Sequence, residues 1–212
     1  MRYNRKTATV TTAPTTFPIT RSQLKEYLKV DGDDEDCMLD MYIEAATDQV
    51  QKYCNRYFIN TTITYVMDGF GRGEDERMAA GVFEGHKASV LGQNDSINLP
   101  YRPVSSITSI KTTDRANTQT TFSSASYRLD GAGGRVYLND GYTWPTGLRD
   151  YAAVEIVMVC GYGSNAGNVP AAVNQAIMIH AASLYECRGV CEISDACKAI
   201  LSGYRVMDGY GF

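Results

Sequence analysis

The 212-residue sequence predicts an α+β fold, in which an N-terminal helical pair and a C-terminal helix form a helical bundle. A small antiparallel β domain is inserted between these helices, and an extended C-terminal tail follows. Three observations carry this. Apolar residues recur at helical spacing near both ends of the chain. Runs rich in Thr, Val, Ile and Tyr, cut by Gly, Asn, Asp and Pro, fill the middle. The last residues, "SGYRVMDGYGF", are rich in Gly and aromatics and carry neither period.

In chain order, residues 1–19 read as an extended, Thr- and Pro-rich arm. Apart from three early cations, Arg2, Arg5 and Lys6, this arm has no apolar core of the kind a signal peptide needs, so secretion is not expected. "TRSQ", Thr20 to Gln23, fits a capping box in which hydroxyl and amide satisfy exposed backbone groups at a helix start. The short helix that follows should stop at Asp31-Gly32, where glycine releases the chain into a turn. From Asp33, residues Leu39, Ile43, Ala46, Val50, Cys54 and Tyr57 share one face of a longer helix.

The strand-like pieces are "INTTITYVMDGF", "SINLP", "VSSITSIKTT", "TQTTF", "YRLD", "RVYLN" and "AAVEIVMVCGY". Residues 71–95, with five glycines and no clean period, read as a long loop within this β domain. Pro170 suits the first turn of a helix because the N–H it lacks has no partner there. Val173, Ile177, His180, Leu184 and Cys187 mark one face of that helix, and a weaker helix spans Asp195 to Leu201. The expected divisions are thus 1–19, a helical part 20–58 with 168–201, a β domain 59–167, and a tail 202–212.

"DGDDED", residues 31–36, raises the question of chemistry. A calcium loop needs glycine sixth, so that oxygens converge on one ion, and here glycine comes second. Carboxylates also suit a helix N-terminus, whose exposed N–H groups attract negative charge. Asp31 is therefore read as turn, and Asp33 as cap, with Asp34, Glu35 and Asp36 in the first helical turn. No catalytic residues and no metal ligands are expected. The two histidines, His86 and His180, have no evident nucleophile or acid partner, and six scattered cysteines lack the spacing of a zinc site. "GYGSNAG" lacks the lysine of a phosphate loop. No cofactor is implied.

A net charge of −4 argues against a protein that holds nucleic acid by neutralising phosphates. The longest apolar runs fall well short of the roughly 18 to 20 residues that cross a bilayer, so no membrane partner is expected. The fifteen tyrosines are spread over every element and suit packing and subunit contacts better than one binding groove.

The order of motifs resembles the head–tail connector (adaptor, or head-completion) proteins of long-tailed bacteriophages and gene-transfer particles. The resemblance starts at "ITRSQLKEYLKVDGDDEDCMLDMYIEAATDQVQKYCNRYF" and resumes at "MDGF", "INLPYRPVSSITSIK", "YRLDGAGGRVYL" and "WP". It closes at "VEIVMVCGYGSNAGNVPAAVNQAIMIHAASLYECR", and so covers about Ile19 to Arg188. Residues 71–95 are longer than expected of such proteins, and Ser183-Leu184 stand where His and Trp are common.

The resemblance implies a non-enzymatic, structural adaptor in the neck of a virion, assembled in the host cytoplasm. Its copies would form a homo-oligomeric ring, dodecameric on this analogy, beneath the portal protein. The ring would join the portal to a downstream stopper or tail-terminator protein, and double-stranded DNA would pass through its lumen without sequence-specific binding. By the same analogy Tyr204, Arg205, Tyr210 and Phe212 are the portal-interface residues. Other readings are a tail-completion or capsid-decoration protein, or a carbohydrate- or nucleic-acid-binding module.

Overall fold

A computed structural model describes residues 5–70, 96–188 and 191–206. The long loop 71–95 and His86 within it lie outside the described residues. The chain divides into two units. One comprises Met1–Thr11, Thr62–Pro100 and Ser106–Val159; the other comprises Thr12–Thr61, Tyr101–Ser105 and Cys160–Phe212.

The first unit is β-sheet. Five strands take the order β1-β2-β8-β4-β5: β1 Lys6–Thr12, β2 Thr61–Met67, β8 Val154–Cys160, β4 Val104–Thr113 and β5 Gln119–Phe122. Three more take the order β3-β7-β6: β3 Ser96–Asn98, β7 Arg135–Leu138 and β6 Tyr127–Asp130. The β4–β5, β3–β7 and β6–β7 pairs are antiparallel. In β2 and β8 every second residue is buried, including Ile63, Tyr65, Met67, Val154, Ile156 and Met158. This is the period of a strand with one face in the core. Asp68, just past β2, accepts from the Arg5 N–H at 2.8 Å and the Ala152 N–H at 2.9 Å. Phe70 stacks on Trp144 at 4.5 Å, and Trp144 lies 5.4 Å from Phe122.

The strand β1 falls in what the sequence reads as a plain arm. Its "KTATVTT" has no fully buried residue, so no apolar face announces it. Sheet order places it beside β2, and the Thr11 and Thr64 hydroxyls are hydrogen-bonded at 2.6 Å.

The second unit is helical: α1 Arg21–Leu28, α2 Asp36–Cys54, α3 Ala171–Cys187 and α4 Asp195–Leu201. Its core takes Leu24 from α1; Leu39, Ile43, Ala46 and Val50 from α2; Val173, Ile177 and Leu184 from α3; and Leu201 from α4. The apolar stripes of α2 and α3 meet there, although 135 residues separate the starts of the two helices.

The helix starts differ from expectation in detail. The Thr20 capping box forms, with Gln23 N–H on the Thr20 hydroxyl and Thr20 N–H on the Gln23 amide. But α1 ends at Leu28, with Lys29 in the left-handed region (φ 59°), before Gly32 (φ 90°) turns the chain further. Asp33 is not the cap of α2. Glu35 holds that position without a side-chain cap bond, and Asp33 instead pairs with Lys25 Nζ at 2.9 Å. A tertiary cation outbids the local helix end. Pro170 stands at the N-cap position of α3, one residue ahead of the first turn, and its carbonyl accepts from Val173 N–H at 2.9 Å. Tyr57 lies beyond the end of α2, and Cys187 is exposed.

Candidate interaction surface

The acidic turn ahead of α2 is tied inward by cations from α1. Lys25 Nζ donates to the Gly32 carbonyl at 2.6 Å and pairs with Asp33 and Asp36. Arg21 reaches Asp36 at 2.6 Å through Nη1 and Asp40 through Nε at 2.9 Å. Hydrogen bonding to Lys25 first, then Arg21, holds the Asp36 carboxyl below its ordinary range. On the α3 side, Tyr185 donates its hydroxyl to Glu35, and Arg188 lies 3.7 Å from the same carboxylate. The hydrogen bond to Glu35 is the main cause that pushes the Tyr185 hydroxyl above its usual range. These carboxylates are paired with side chains of the same unit. Among the described residues no cluster of three or more His, Cys, Asp or Glu could hold a metal. Asp31 is exposed in the turn.

From Glu26 to Asp48 nine carboxylates stand against one cation, Lys29. Three of them, Asp33, Asp36 and Asp40, are paired with Lys25 and Arg21, and exposed apolar side chains stand on the same helices: Tyr27 on α1, and Met38 and Met41 one turn apart on α2. Exposed Met and Tyr side chains suit contact with another protein.

At the far end of α2 the segment 202–206, which follows α4, is anchored. After α4, Ser202–Tyr204 form a 3-10 turn, so the segment read as extended from residue 202 begins with a helical turn. Tyr204 packs, half-buried, against the helical core. The Arg205 guanidinium lies 5.1 Å above the Tyr53 ring, and the Val206 N–H donates to the Cys54 carbonyl at 2.9 Å. Because Cys54 ends α2, its carbonyl is one that the helix itself leaves unpaired, and the Val206 N–H satisfies it. Next to this, Arg56 Nη1 donates to the Arg102 carbonyl at 3.2 Å and lies 3.3 Å from the Tyr162 hydroxyl.

The "GYG" of residues 161–163 gains a structural reason. Tyr162 N–H donates to Phe58 O at 3.0 Å, and Asn60 N–H donates to Gly163 O at 2.9 Å. A Cβ on Gly161 (φ 140°) would stand 2.7 Å from the Asn60 nitrogen and from the Ile59 carbonyl carbon. Only glycine allows two backbone segments this close.

The model of the phage gp6-like head–tail connector proteins matches residues 19–129, just over half of the chain. The chain belongs to this family. As a head–tail connector protein it is a structural component, not a catalyst. Solved structures with a similar fold come from gene transfer agent (GTA) particles. The neck of an empty GTA particle, computed with C6 symmetry, gives a TM-score of 0.73 at 20% identity, over 97% of this chain and 98% of that one. The virion of a native GTA particle gives 0.71 at 19% identity with the same coverage. The neck of a native particle, computed with C12 symmetry, gives 0.68 at 20%. No curated protein matches the sequence.

Of the four connector residues expected at an interface, Tyr204 and Arg205 are placed together at the end of α2, while Tyr210 and Phe212 lie outside the described residues. Most of the Tyr204 ring serves packing inside the unit; Arg205 stays exposed. Tyr53 and the Cys54 carbonyl, which hold Arg205 and Val206, carry no sequence signal for that role. Their partners are about 150 residues away along the chain for Tyr53 and Cys54, and no periodicity reports a contact at such separation.

Proposed function

We propose that this connector forms a dodecameric ring in the neck of a tailed particle, beneath the portal, and joins the portal to the next neck or tail protein. Membership of the head–tail connector family is the observation that carries this reading. The C6 and C12 symmetries of the similar necks support a ring whose copy number is a multiple of six. In this reading the helical unit builds the ring wall, and its Tyr27, Met38 and Met41 face a neighbouring copy. The C-terminal segment leaves the wall at Val206 and reaches the portal through Arg205, Tyr210 and Phe212, with Tyr204 as its root. Double-stranded DNA passes through the lumen, and the acidic balance of the chain keeps the duplex from adhering, because like charges repel.

Electron microscopy of the full chain mixed with its portal tests the proposal. The expected result is a ring of matched symmetry coaxial with the portal. A chain that stays monomeric beside intact portals overturns it.

A further inference from the structure

Six cysteines are present, and their surroundings differ. Cys54, Cys160 and Cys197 are buried, and burial pushes the Cys54 and Cys160 thiols up to about 11 and about 12. Cys37 is exposed. Cys187 and Cys191 are different: Cys187 is exposed at the last residue of α3, Cys191 is half-exposed just ahead of α4, and their sulfurs lie 3.5 Å apart. The Cys191 side packs against the helical core, so one member of the pair is held while the other faces solvent.

We propose that Cys187 and Cys191 are a redox-modifiable dithiol that closes to an intramolecular disulfide on exposure to a low-molecular-weight disulfide. A disulfide needs sulfurs at about 2.05 Å, so about 1.5 Å of closure is required. Rotation of the exposed Cys187 side chain toward its held partner provides that movement. In the first step the Cys187 thiolate attacks one sulfur of the small disulfide and releases one small thiolate. In the second, Cys191 loses its proton to solvent and attacks the Cys187 sulfur, which expels the second small thiolate. Two protein thiols are oxidised and one small disulfide is reduced to two thiols. The bridge ties the end of α3 to the entry of α4, and through α4 to Tyr204 and Val206.

The biological setting of this step rests on the connector reading: a particle assembles in a reducing cytoplasm and is released into an oxidising medium, where disulfides persist. The bridge would then form only after the ring is built.

The isolated full chain, treated with oxidised glutathione and digested with trypsin without reduction, provides the test. Trypsin cuts after Arg188, between the two cysteines, so a bridge holds two otherwise separate peptides together. The expected result is that linked pair, with glutathione carried on Cys37 instead. Separate glutathione adducts on Cys187 and Cys191 overturn the proposal. A trivalent arsenical, phenylarsine oxide, gives an independent measurement: it should bind the native chain and lose binding in Cys187→Ser and in Cys191→Ser. Equal binding to all three also overturns it. Neither measurement involves a portal, so a failure here leaves the connector reading intact, and a failure to join portals leaves the dithiol standing.

Discussion

Single residues in this chain decide where segments may touch, and Gly161 is the sharpest case. Its positive φ and the backbone of Ile59 and Asn60 at 2.7 Å leave no volume for a methyl group. Gly161→Ala should therefore destabilise the protein by about 3 kcal/mol, through strain and a backbone clash that no side chain can relieve. Gly167→Ala is the control, since a Cβ there meets nothing within 4 Å, and it should change stability by no more than about 0.5 kcal/mol. Urea midpoints of the two variants read the difference; equal midpoints would refute the close-approach account of "GYG". At this scale the sequence is only partly legible. The Thr20 capping box is local, and so it could be read from four residues. Asp33 could not, because the cation that takes it, Lys25, acts across a turn from another helix.

Among elements, the pairing of α2 and α3 contains one buried polar contact. His180 on α3 is almost wholly buried and bonds through Nε2 to the Gln49 amide oxygen of α2 at 2.8 Å. A proton on Nε2 suits this bond, since the Gln49 oxygen can only accept. Among the described residues Nδ1 has no hydrogen-bond partner. Burial lowers the His180 pKa from its ordinary 6.5. The folded state thus prefers the neutral ring. The unfolded chain takes up the proton first as pH falls through 6.5, and stability is present above that pH and lost below it. The slope is at most about 1.4 kcal/mol per pH unit. In His180→Met the denaturation midpoint should stay flat from pH 7.5 to 5 where the native chain's falls. Identical slopes would show that His180 does not set this dependence. Asp36 acts in a lower window: its depressed pKa gives stability above pH 4 that disappears on further acidification. Helices and strands were legible in the sequence where one face is apolar, as in α2, β2 and β8. The strand β1 was not, because it has no buried face and is placed by its neighbour in the sheet.

For the whole molecule, the question is what the C-terminal segment does beside its role in the helical unit. Residues 202–206 belong to that unit: Tyr204 lies against its core, Arg205 over Tyr53, and Val206 on the Cys54 carbonyl. No family resemblance and no composition could announce this anchoring, because it is made by contacts with α2. Two truncations separate folding from joining. Removing residues 207–212 leaves every described contact in place, so the denaturation midpoint should be unchanged while binding to the portal is lost, since Tyr210 and Phe212 are gone. Removing residues 203–212 also strips Tyr204 and Val206 from the unit, and should cost a further 2 kcal/mol or so of stability, about the value of one half-buried aromatic and one backbone hydrogen bond. Sedimentation with purified portal measures the first effect and urea unfolding the second. Full portal binding by the shorter deletion would remove Tyr210 and Phe212 from the interface and leave Arg205 as the remaining candidate of the C-terminal segment.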